Sequence, residues 1–246
     1  MSPDIIADLA PTGVLRAGIN LSNFLLVTGK TPAGDPEGVA PDMAREIATR
    51  LGVPVKYVLF NTPGELADAG GSGVWDIGLI GAEPQRAEKI VFTPAYVEIE
   101  ATYLVPANSP LKTITDVDQP GMHIAVTGRT AYGLWLERNL KHAKLMVSDT
   151  LDRAYTQFIE DKLDALAGLK PRLLLDVEKL PGARIIDGRF SAVQQAVGTA
   201  RANAAGAVFL GAFVEEAKAS GLVARLIERH GVRGLSVAPL AGKSGS

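Results

Sequence analysis

The chain has 246 residues, of which 47% are hydrophobic and 21% are charged, and its formal net charge is −2. This composition excludes global disorder, which needs low hydrophobicity and high net charge, and it lacks the basic excess expected of a nucleic-acid-binding protein. The absence of cysteine excludes disulfides, thiolate metal ligands and thiol nucleophiles together.

The first part of the chain alternates predicted strands with predicted helices. A buried strand is predicted at 14–20, and polar residues from Asn20 to Asn23 follow its end. After a turn-rich loop at 28–37, Met43, Ile47 and Leu51 recur at helical spacing, which predicts a helix from Pro41 to Leu51. The other elements predicted here are strands at 53–60, 75–80 and 96–105, a helix at 63–69 and a short helix at 84–89.

A second alternating set follows a polar, proline-containing connector at 106–120. Strands are predicted at 123–126, 145–147, 165–167, 184–186 and 192–199, and helices at 131–140, 151–161, 171–179, 205–220 and 222–230. In the helix at 205–220 we expect one apolar face formed by Val208, Phe209, Ala212, Phe213 and Ala217. Strands that alternate with helices predict an α/β fold with parallel sheets.

The connector and the extended segments at 96–105 and 192–199 predict two lobes. We expect lobe 1 to comprise 1–103 and 197–246 and lobe 2 to comprise 106–191, with hinges at about 102–106 and 192–197. A cleft between two hinged lobes is a common place for a small molecule, so the organisation itself favours a small-molecule ligand.

Motifs for metal or covalent chemistry are missing from the sequence. His123, His142 and His230 lack metal-ligand spacing, and the acidic residues form no calcium loop. Ser72 lies in a glycine-rich turn before a strand, whereas a nucleophile elbow precedes a helix. We therefore expect no catalytic nucleophile, no metal and no cofactor.

Two features predict binding of an anion. The turn at 127–130 leads from a strand into a helix, where backbone N–H groups and the helix dipole favour a negative charge. Thr130 also fits there as an ordinary N-cap. Arg86 follows the strand at 75–80, and a guanidinium at a strand end can bind a carboxylate through two parallel hydrogen bonds. An arginine at the start of a helix is also commonly a solvated surface residue.

Six segments, in order, resemble the bacterial family 3 solute-binding proteins, the amino-acid-type receptors of ABC importers. They are GVLRAGIN at 13–20, GVAPDMA with IATRLG at 38–52, GVWDI at 73–77, RAEKIVFTPAY at 86–96, ITDV at 114–117 and LDA at 163–165. The resemblance covers nearly the whole chain. It implies a type II periplasmic-binding-protein fold, in which two α/β lobes are joined by two hinge strands and hold the ligand between them.

The resemblance also implies which residues bind the ligand. Arg86 corresponds to the arginine that binds the ligand carboxylate in this family, and the turn before the first helix of the second lobe contributes to the same contact. The complete set of ligand-binding residues expected from the residues and the resemblance is Asn20, Ser22, Asn23, Phe24, Gly81, Glu83, Arg86, Arg129, Thr130, Lys170 and Gln195.

Departures from the family pattern leave the charge of the ligand open. Leu169, followed by Lys170, stands where members that bind an α-ammonium group often have aspartate, and Asn20 replaces an acidic residue. Either Glu83 binds an ammonium group, or the ligand has none and Arg86 and Lys170 bind an anion together with Arg129. Lys170 also fits as a surface lysine that follows a strand.

The implied function is that of a monomeric substrate-binding protein, which closes by hinge rotation around a carboxylate-bearing solute and delivers it to an ABC importer permease. One alternative is an enzyme of the dehydratase branch of this superfamily, with Glu83, Glu98 or Glu100 as the general acid, although no paired base is evident. The other alternative is a cytoplasmic ligand-sensing module. The resemblance implies a periplasmic protein if a signal peptide was removed, whereas a native start at Met1 implies a cytoplasmic one.

Overall fold

Within residues 1–242, which are the residues that the computed structural model describes, the chain forms eight α-helices and thirteen β-strands. The helices are α1 (Pro3–Leu9), α2 (Val39–Leu51), α3 (Pro63–Asp68), α4 (Ala131–Asn139), α5 (Leu151–Glu160), α6 (Lys170–Val177), α7 (Ala204–Ala219) and α8 (Leu222–Arg229). The strands are β1 (Leu15–Asn20), β2 (Gly29–Lys30), β3 (Pro36–Glu37), β4 (Val55–Phe60), β5 (Ile77–Gly81), β6 (Ile90–Phe92), β7 (Val97–Val105), β8 (His123–Thr127), β9 (Lys144–Ser148), β10 (Ala165–Leu169), β11 (Arg184–Ile185), β12 (Ser191–Ala200) and β13 (Ser236–Val237). Two 3₁₀ helices lie at Arg86–Glu88 and Ile114–Asp116.

The chain divides into two compact units. Unit 1 consists of Met1–Glu98 and Gln194–Ser246, and unit 2 consists of Ile99–Val193. The first change of unit lies inside β7, before the hinge expected at about 102–106, and the second lies inside β12, within the segment expected at about 192–197. Each of these strands contributes residues to both units. The polar connector at 106–120 follows the first boundary and lies wholly within unit 2. Positions 243–246 of the expected first lobe lie outside the described residues.

In unit 1 the central sheet has the strand order β4–β1–β5–β12. Strand β1 runs parallel to β4 and β5, and Gly18 stands opposite both Val58 and Gly78. Strand β12 is antiparallel to β5, with Gln195 opposite Gly81. Because β1 and β5 are parallel neighbours, their carboxyl ends meet at the same edge of the sheet, and the loops that follow them start side by side.

The hydrophobic core of unit 1 lies between this sheet and helices α2, α7 and α8. Met43, Ile47 and Leu51 are all buried in it, which confirms the helical face predicted for α2. The helix begins at Val39, however, two residues before the predicted start at Pro41, because a proline is tolerated in the first turn of a helix.

Trp75 covers the opposite face of the same strands. A Cβ atom on Gly18 or Gly78 would lie 3.3 Å from the indole ring, so the two glycines provide its space. The neighbouring Asp76 accepts hydrogen bonds from the Arg16 backbone N–H at 2.8 Å and from the Arg16 guanidinium at 2.6 and 3.0 Å. The GVWDI motif therefore contributes a structural tie between β1 and the segment before β5.

Unit 2 contains a sheet with the order β7–β10–β8–β9. Strands β10, β8 and β9 are parallel, β7 is antiparallel to β10, and β11 pairs with β7. The unit has its own hydrophobic clusters, one of which includes Tyr103, Ile124 and Leu136. The expectation of parallel sheets thus holds for the βαβ segments of both units, while the crossing strands β7 and β12 add antiparallel pairs.

One other expectation needs correction, and several short elements were not predicted. Val208 and Ala212, which were expected on the buried face of α7, are exposed, Val208 to 76%, and the buried positions include Leu210, Phe213 and Val214. The cause is that α7 is apolar around most of its circumference, so spacing alone does not identify the inner face. The N-terminal helix α1, the short pair β2–β3 inside the loop at 28–37 and the short strands β6 and β13 were not predicted.

Candidate functional site

Unit 1 brings the polar residues after β1 and β5 to one edge of its sheet. Asn20 is the last residue of β1 and Gly81 is the last residue of β5, and these two strands are hydrogen-bonded neighbours. Gln195 stands opposite Gly81 in the antiparallel register of β12 and is buried. Three of the predicted ligand-binding residues therefore lie on adjacent strands. The carboxyl edge of parallel strands is where open α/β sheets bind ligands.

The loop after β1 is shaped by its own asparagines. The Asn20 side-chain oxygen accepts hydrogen bonds from the Ser22 backbone N–H at 3.1 Å and from the Ser22 hydroxyl at 2.8 Å. The Asn23 side-chain oxygen accepts one from the Leu25 N–H at 3.2 Å, and Asn23 is buried. Phe24, the residue between Asn23 and Leu25, is 36% exposed. The asparagine oxygens thus fix the turn, and the aromatic ring of Phe24 is the apolar group that the loop presents to solvent.

Arg86 is a buried residue of the loop that follows β5. It begins the 3₁₀ helix Arg86–Glu88, is only 6% exposed, and its Nη1 donates to the Gly81 carbonyl oxygen at 2.7 Å. The guanidinium is therefore directed back to the end of β5, and the predicted role of Arg86 in ligand binding stays a prediction. The alternative of a solvated surface arginine does not agree with this burial.

Glu83 lies in the same loop and is partly exposed. Its backbone carbonyl accepts a hydrogen bond from the Ala87 N–H at 3.0 Å, which closes the turn that carries Arg86. Unit 1 thus places an acidic and a basic residue within one short loop at the edge of the sheet.

In unit 2 the corresponding edge carries the turn at 127–130, between β8 and α4. The Thr130 hydroxyl accepts a hydrogen bond from the Gly133 N–H at 3.0 Å and donates one to the Thr127 carbonyl at 2.8 Å. Thr130 is therefore the N-cap of α4, one of the two roles considered for it. Arg129 is exposed and has a left-handed φ of 58°. The first backbone N–H groups of α4 lie at this turn, as at every helix start.

Gly133 is needed for this tight junction. A Cβ atom at this position would lie 2.8 Å from the Thr127 carbonyl oxygen and 2.9 Å from the Thr130 hydroxyl oxygen. Any larger residue would therefore displace the capping hydroxyl or the end of β8. The sequence TGRTAYG thus encodes both the cap and the space that the cap requires.

Lys170 follows the end of β10 and is ion-paired. Its ammonium nitrogen lies 3.0 Å from a carboxylate oxygen of Glu100, and the Arg189 guanidinium lies 3.7 Å from the other Glu100 oxygen. All three side chains are partly exposed. Sequence spacing could not reveal this cluster because Glu100 precedes Lys170 by 70 positions. The antiparallel pairing of Leu169 with Ala101 is what brings Lys170, the next residue after Leu169, close to Glu100, the residue before Ala101.

Two of the three carboxylates considered for the enzymatic alternative accept hydrogen bonds from other side chains. Glu98 accepts from the Gln194 side-chain amide at 3.0 Å, and Glu100 accepts from Lys170. Within residues 1–242 no group of three or more His, Cys, Asp or Glu side chains is placed to hold a metal ion.

Comparison with protein families identifies one match that covers most of the chain. The model of "Bacterial extracellular solute-binding proteins, family 3" matches residues 21–232. No curated protein matches the chain. The family resemblance drawn from the six sequence segments is thereby confirmed. None of the helices in the part of the chain that the structure describes is long and apolar enough to cross a membrane.

Several solved structures share the fold. A mutant of ArgBP from T. maritima has a TM-score of 0.73 and 22% identity, with 93% of this chain and 100% of that chain covered. The ancestral amino acid-binding protein AncCDT-1, a precursor of cyclohexadienyl dehydratase, has a TM-score of 0.72 and 21% identity, with 91% and 98% covered. A putative ABC transporter binding component from Wolinella succinogenes, complexed with lysine, has a TM-score of 0.72 and 22% identity, with 89% and 95% covered. These likenesses confirm the predicted type II periplasmic-binding-protein fold.

Proposed function

Because the chain belongs to the bacterial extracellular solute-binding proteins of family 3, we propose that it is the substrate-binding protein of an ABC importer and binds a small, amino-acid-like carboxylate. The observation that carries this proposal is the buried Arg86, whose guanidinium donates to the carbonyl at the end of β5. A guanidinium has five N–H donors in a planar fork, so one bond to Gly81 is compatible with a two-bond contact to a carboxylate.

Unit 2 is proposed to supply the second contact through the turn at 127–130. The N-cap role of Thr130 leaves the first backbone N–H groups of α4 without helical partners, as at every helix start. A carboxylate that is held by Arg86 and by this helix start would favour a closed arrangement of the two units. Hinge closure therefore belongs to the proposal, and a ligand would drive it through its greater affinity for the closed state.

The remaining predicted residues have proposed roles around this anchor. Phe24 would contact the apolar part of the solute, and Glu83 would bind an ammonium group if the solute has one. Lys170 is not an isolated cation, since it is paired with Glu100. We propose that the protein acts outside the cytoplasm and delivers its solute to an importer permease, in keeping with the family description.

A panel of matched compounds tests the proposal. Thermal unfolding would be measured with the twenty L-amino acids, with their 2-hydroxy-acid counterparts and with their amides, and hits would be titrated by calorimetry. At a concentration 100 times its Kd, a ligand adds about 2.7 kcal/mol of stability, which raises the Tm by roughly 5–10 °C for a chain of this size. We expect at least one carboxylate to do so, and we expect its amide to fail.

Three further results separate the alternatives. Retained binding of a 2-hydroxy acid would show that no ammonium group is required, and loss of its binding would assign that role to an acidic residue such as Glu83. Small-angle scattering should show a smaller radius of gyration with the bound carboxylate. Conversion of the compound to a dehydrated product, followed by NMR, would establish the enzyme alternative. Failure of every carboxylate to bind the folded protein would overturn the proposal.

A further inference from the structure

Unit 2 contains an apolar pocket with a volume of about 250 Å³. Three segments line it: the start of the connector after β7, the end of α5 with the loop that follows, and the loop before β11. Its lining includes Phe158, Ile159, Lys162, Leu163 and Leu180. The volume is just below the usual range for small-molecule sites, so the pocket suits a small ligand.

This pocket lies at the other end of β10 from the residues assigned to the solute. Leu163 lies before the first residue of β10, whereas Lys170 follows its last residue. The strand has five residues, and at about 3.3 Å per residue it separates its two ends by roughly 16 Å. The parallel neighbour β8 likewise ends at the turn that leads to Thr130. The pocket is therefore distinct from the proposed solute contacts of unit 2.

The interior of the pocket is apolar, and an apolar side chain also lies at its rim. Phe158 and Leu163 are buried and belong to the hydrophobic cluster beneath β10, together with Leu104 and Leu166. Ile159, at the rim, remains 42% exposed. Cavities lined by leucine, isoleucine and phenylalanine hold water poorly and take up apolar molecules. A ligand with an aliphatic part would cover the exposed isoleucine and fill this space.

Lys162 is the charged residue among those that line the pocket. It is exposed, and its backbone has a left-handed φ of 51° in the turn that ends α5, with its N–H donating to the Ile159 carbonyl at 3.3 Å. Within residues 1–242 its ammonium group makes no ion pair or side-chain hydrogen bond. The nearby Glu160 carboxylate is paired with Arg153 at 3.1 Å. The pocket thus combines an apolar interior with an available cation at its rim.

We propose that this pocket is a second ligand site, which binds a small amphipathic anion. The aliphatic part of the ligand would lie against Phe158, Ile159 and Leu163, and its carboxylate would pair with Lys162. Charge complementarity selects the anion, because a cationic head group would meet the lysine ammonium at the same rim. The proposal is independent of the importer function, since it uses none of the residues assigned to the solute.

The test is calorimetric titration of the full chain with sodium octanoate, alongside acetate and octylammonium chloride. We expect saturable one-site binding of octanoate and at least tenfold weaker binding of the other two compounds. Ile159→Asp and Lys162→Glu should each weaken the binding of octanoate at least tenfold. Both side chains are at least partly exposed, so the variants should remain folded at 25 °C, which circular dichroism checks. The matched controls are Val147→Asp, at a side chain that is 54% exposed on β9, and Lys144→Glu, at an exposed lysine on the same strand; both should bind like wild type.

Four outcomes of these titrations would overturn the proposal. They are absence of saturable binding to the wild-type chain, unchanged binding in Ile159→Asp or Lys162→Glu, equal losses in the two controls, and equal binding of octylammonium. Arg86→Ala distinguishes this site from the solute site, because it should leave octanoate affinity unchanged. Loss of octanoate binding in that variant would place the compound in the solute site and would also overturn the second site.

Discussion

Replacing Arg86 by alanine removes the group on which the proposed solute site depends. The side chain is almost fully buried, and its guanidinium donates to the Gly81 carbonyl at 2.7 Å. Arg86→Ala should therefore weaken binding of the tightest carboxylate found in the compound panel. Arg86→Lys should restore part of the affinity, because lysine keeps the charge but cannot form two parallel hydrogen bonds to one carboxylate.

The magnitude follows from the burial of the arginine. Truncating one partner of a buried, hydrogen-bonded charge pair typically costs about 2–5 kcal/mol of binding free energy, which corresponds to a roughly 30- to 5000-fold rise in Kd. The variant also loses the bond to Gly81, and a hydrogen bond from a charged donor contributes about 1.5–3 kcal/mol to stability. Because domains have about 5–15 kcal/mol of stability, we expect the variant to remain folded at 25 °C.

Calorimetry at 25 °C on the wild type, Arg86→Ala and Arg86→Lys measures these effects, and circular dichroism checks the fold. Arg201→Ala is a matched control. Arg201 donates to the Ala87 carbonyl at 2.7 Å and so also ties down the loop after β5, but it is exposed. An affinity of folded Arg86→Ala within about threefold of wild type, less than 0.7 kcal/mol, would refute the proposed role. An equal loss in Arg201→Ala would show that the loop structure, and not the guanidinium, sets the affinity.

The structure leads to three further predictions. Gly38 has φ 145° and a Cβ atom there would lie 2.2 Å from the Leu26 carbonyl oxygen, so Gly38→Ala should lower the free energy of unfolding by about 3 kcal/mol or more. Gly52→Ala, at φ 76° with open space around the Cβ position, should lower the free energy of unfolding by only about 1–2 kcal/mol. Denaturant titration of both variants measures these two losses. Within residues 1–242 the buried Tyr96 hydroxyl has no hydrogen-bond partner, so Tyr96→Phe should raise the free energy of unfolding by about 1–3 kcal/mol, and a loss would contradict this. Burial opposes ionisation of Asp118, but three backbone N–H donors outweigh this effect and hold its pKa below the usual value. Asp118→Asn should therefore lower the free energy of unfolding at neutral pH. In urea titrations repeated across pH, the difference in unfolding free energy between wild type and variant should shrink as the pH falls below about 4.

Most helices and strands could be predicted because their buried patterns are bounded by clear breakers. The helical spacing of Met43, Ile47 and Leu51 identified α2, and all three side chains are buried in the core of unit 1. The inner face of α7 could not be predicted in the same way. Val208 and Phe213 are both apolar, and only packing against neighbouring elements decides that Val208 faces solvent while Phe213 is buried.

The position of Arg86 was predictable because it depends on local order along the chain. A residue that follows a strand of a parallel sheet lies at the carboxyl edge of that sheet, and the buried guanidinium is directed back to the end of β5. The Arg16–Asp76 pair and the apolar pocket around Phe158 could not be predicted. Each depends on segments distant in sequence, and neither leaves a periodic signal in the residues that form it.

The ion pair between Lys170 and Glu100 changes the charge expected at the end of β10. Considered alone, Lys170, which follows Leu169 at the position where the family often has aspartate, suggests a purely anionic ligand. In the structure Glu100 lies between two cations, 3.0 Å from Lys170 and 3.7 Å from Arg189. Two cations and one carboxylate leave one net positive charge, shared among partly exposed side chains and weakened by solvent screening. A solute that reaches this surface would therefore meet a modest positive potential and also a carboxylate acceptor, so Lys170 by itself gives no reason to exclude a ligand with an ammonium group.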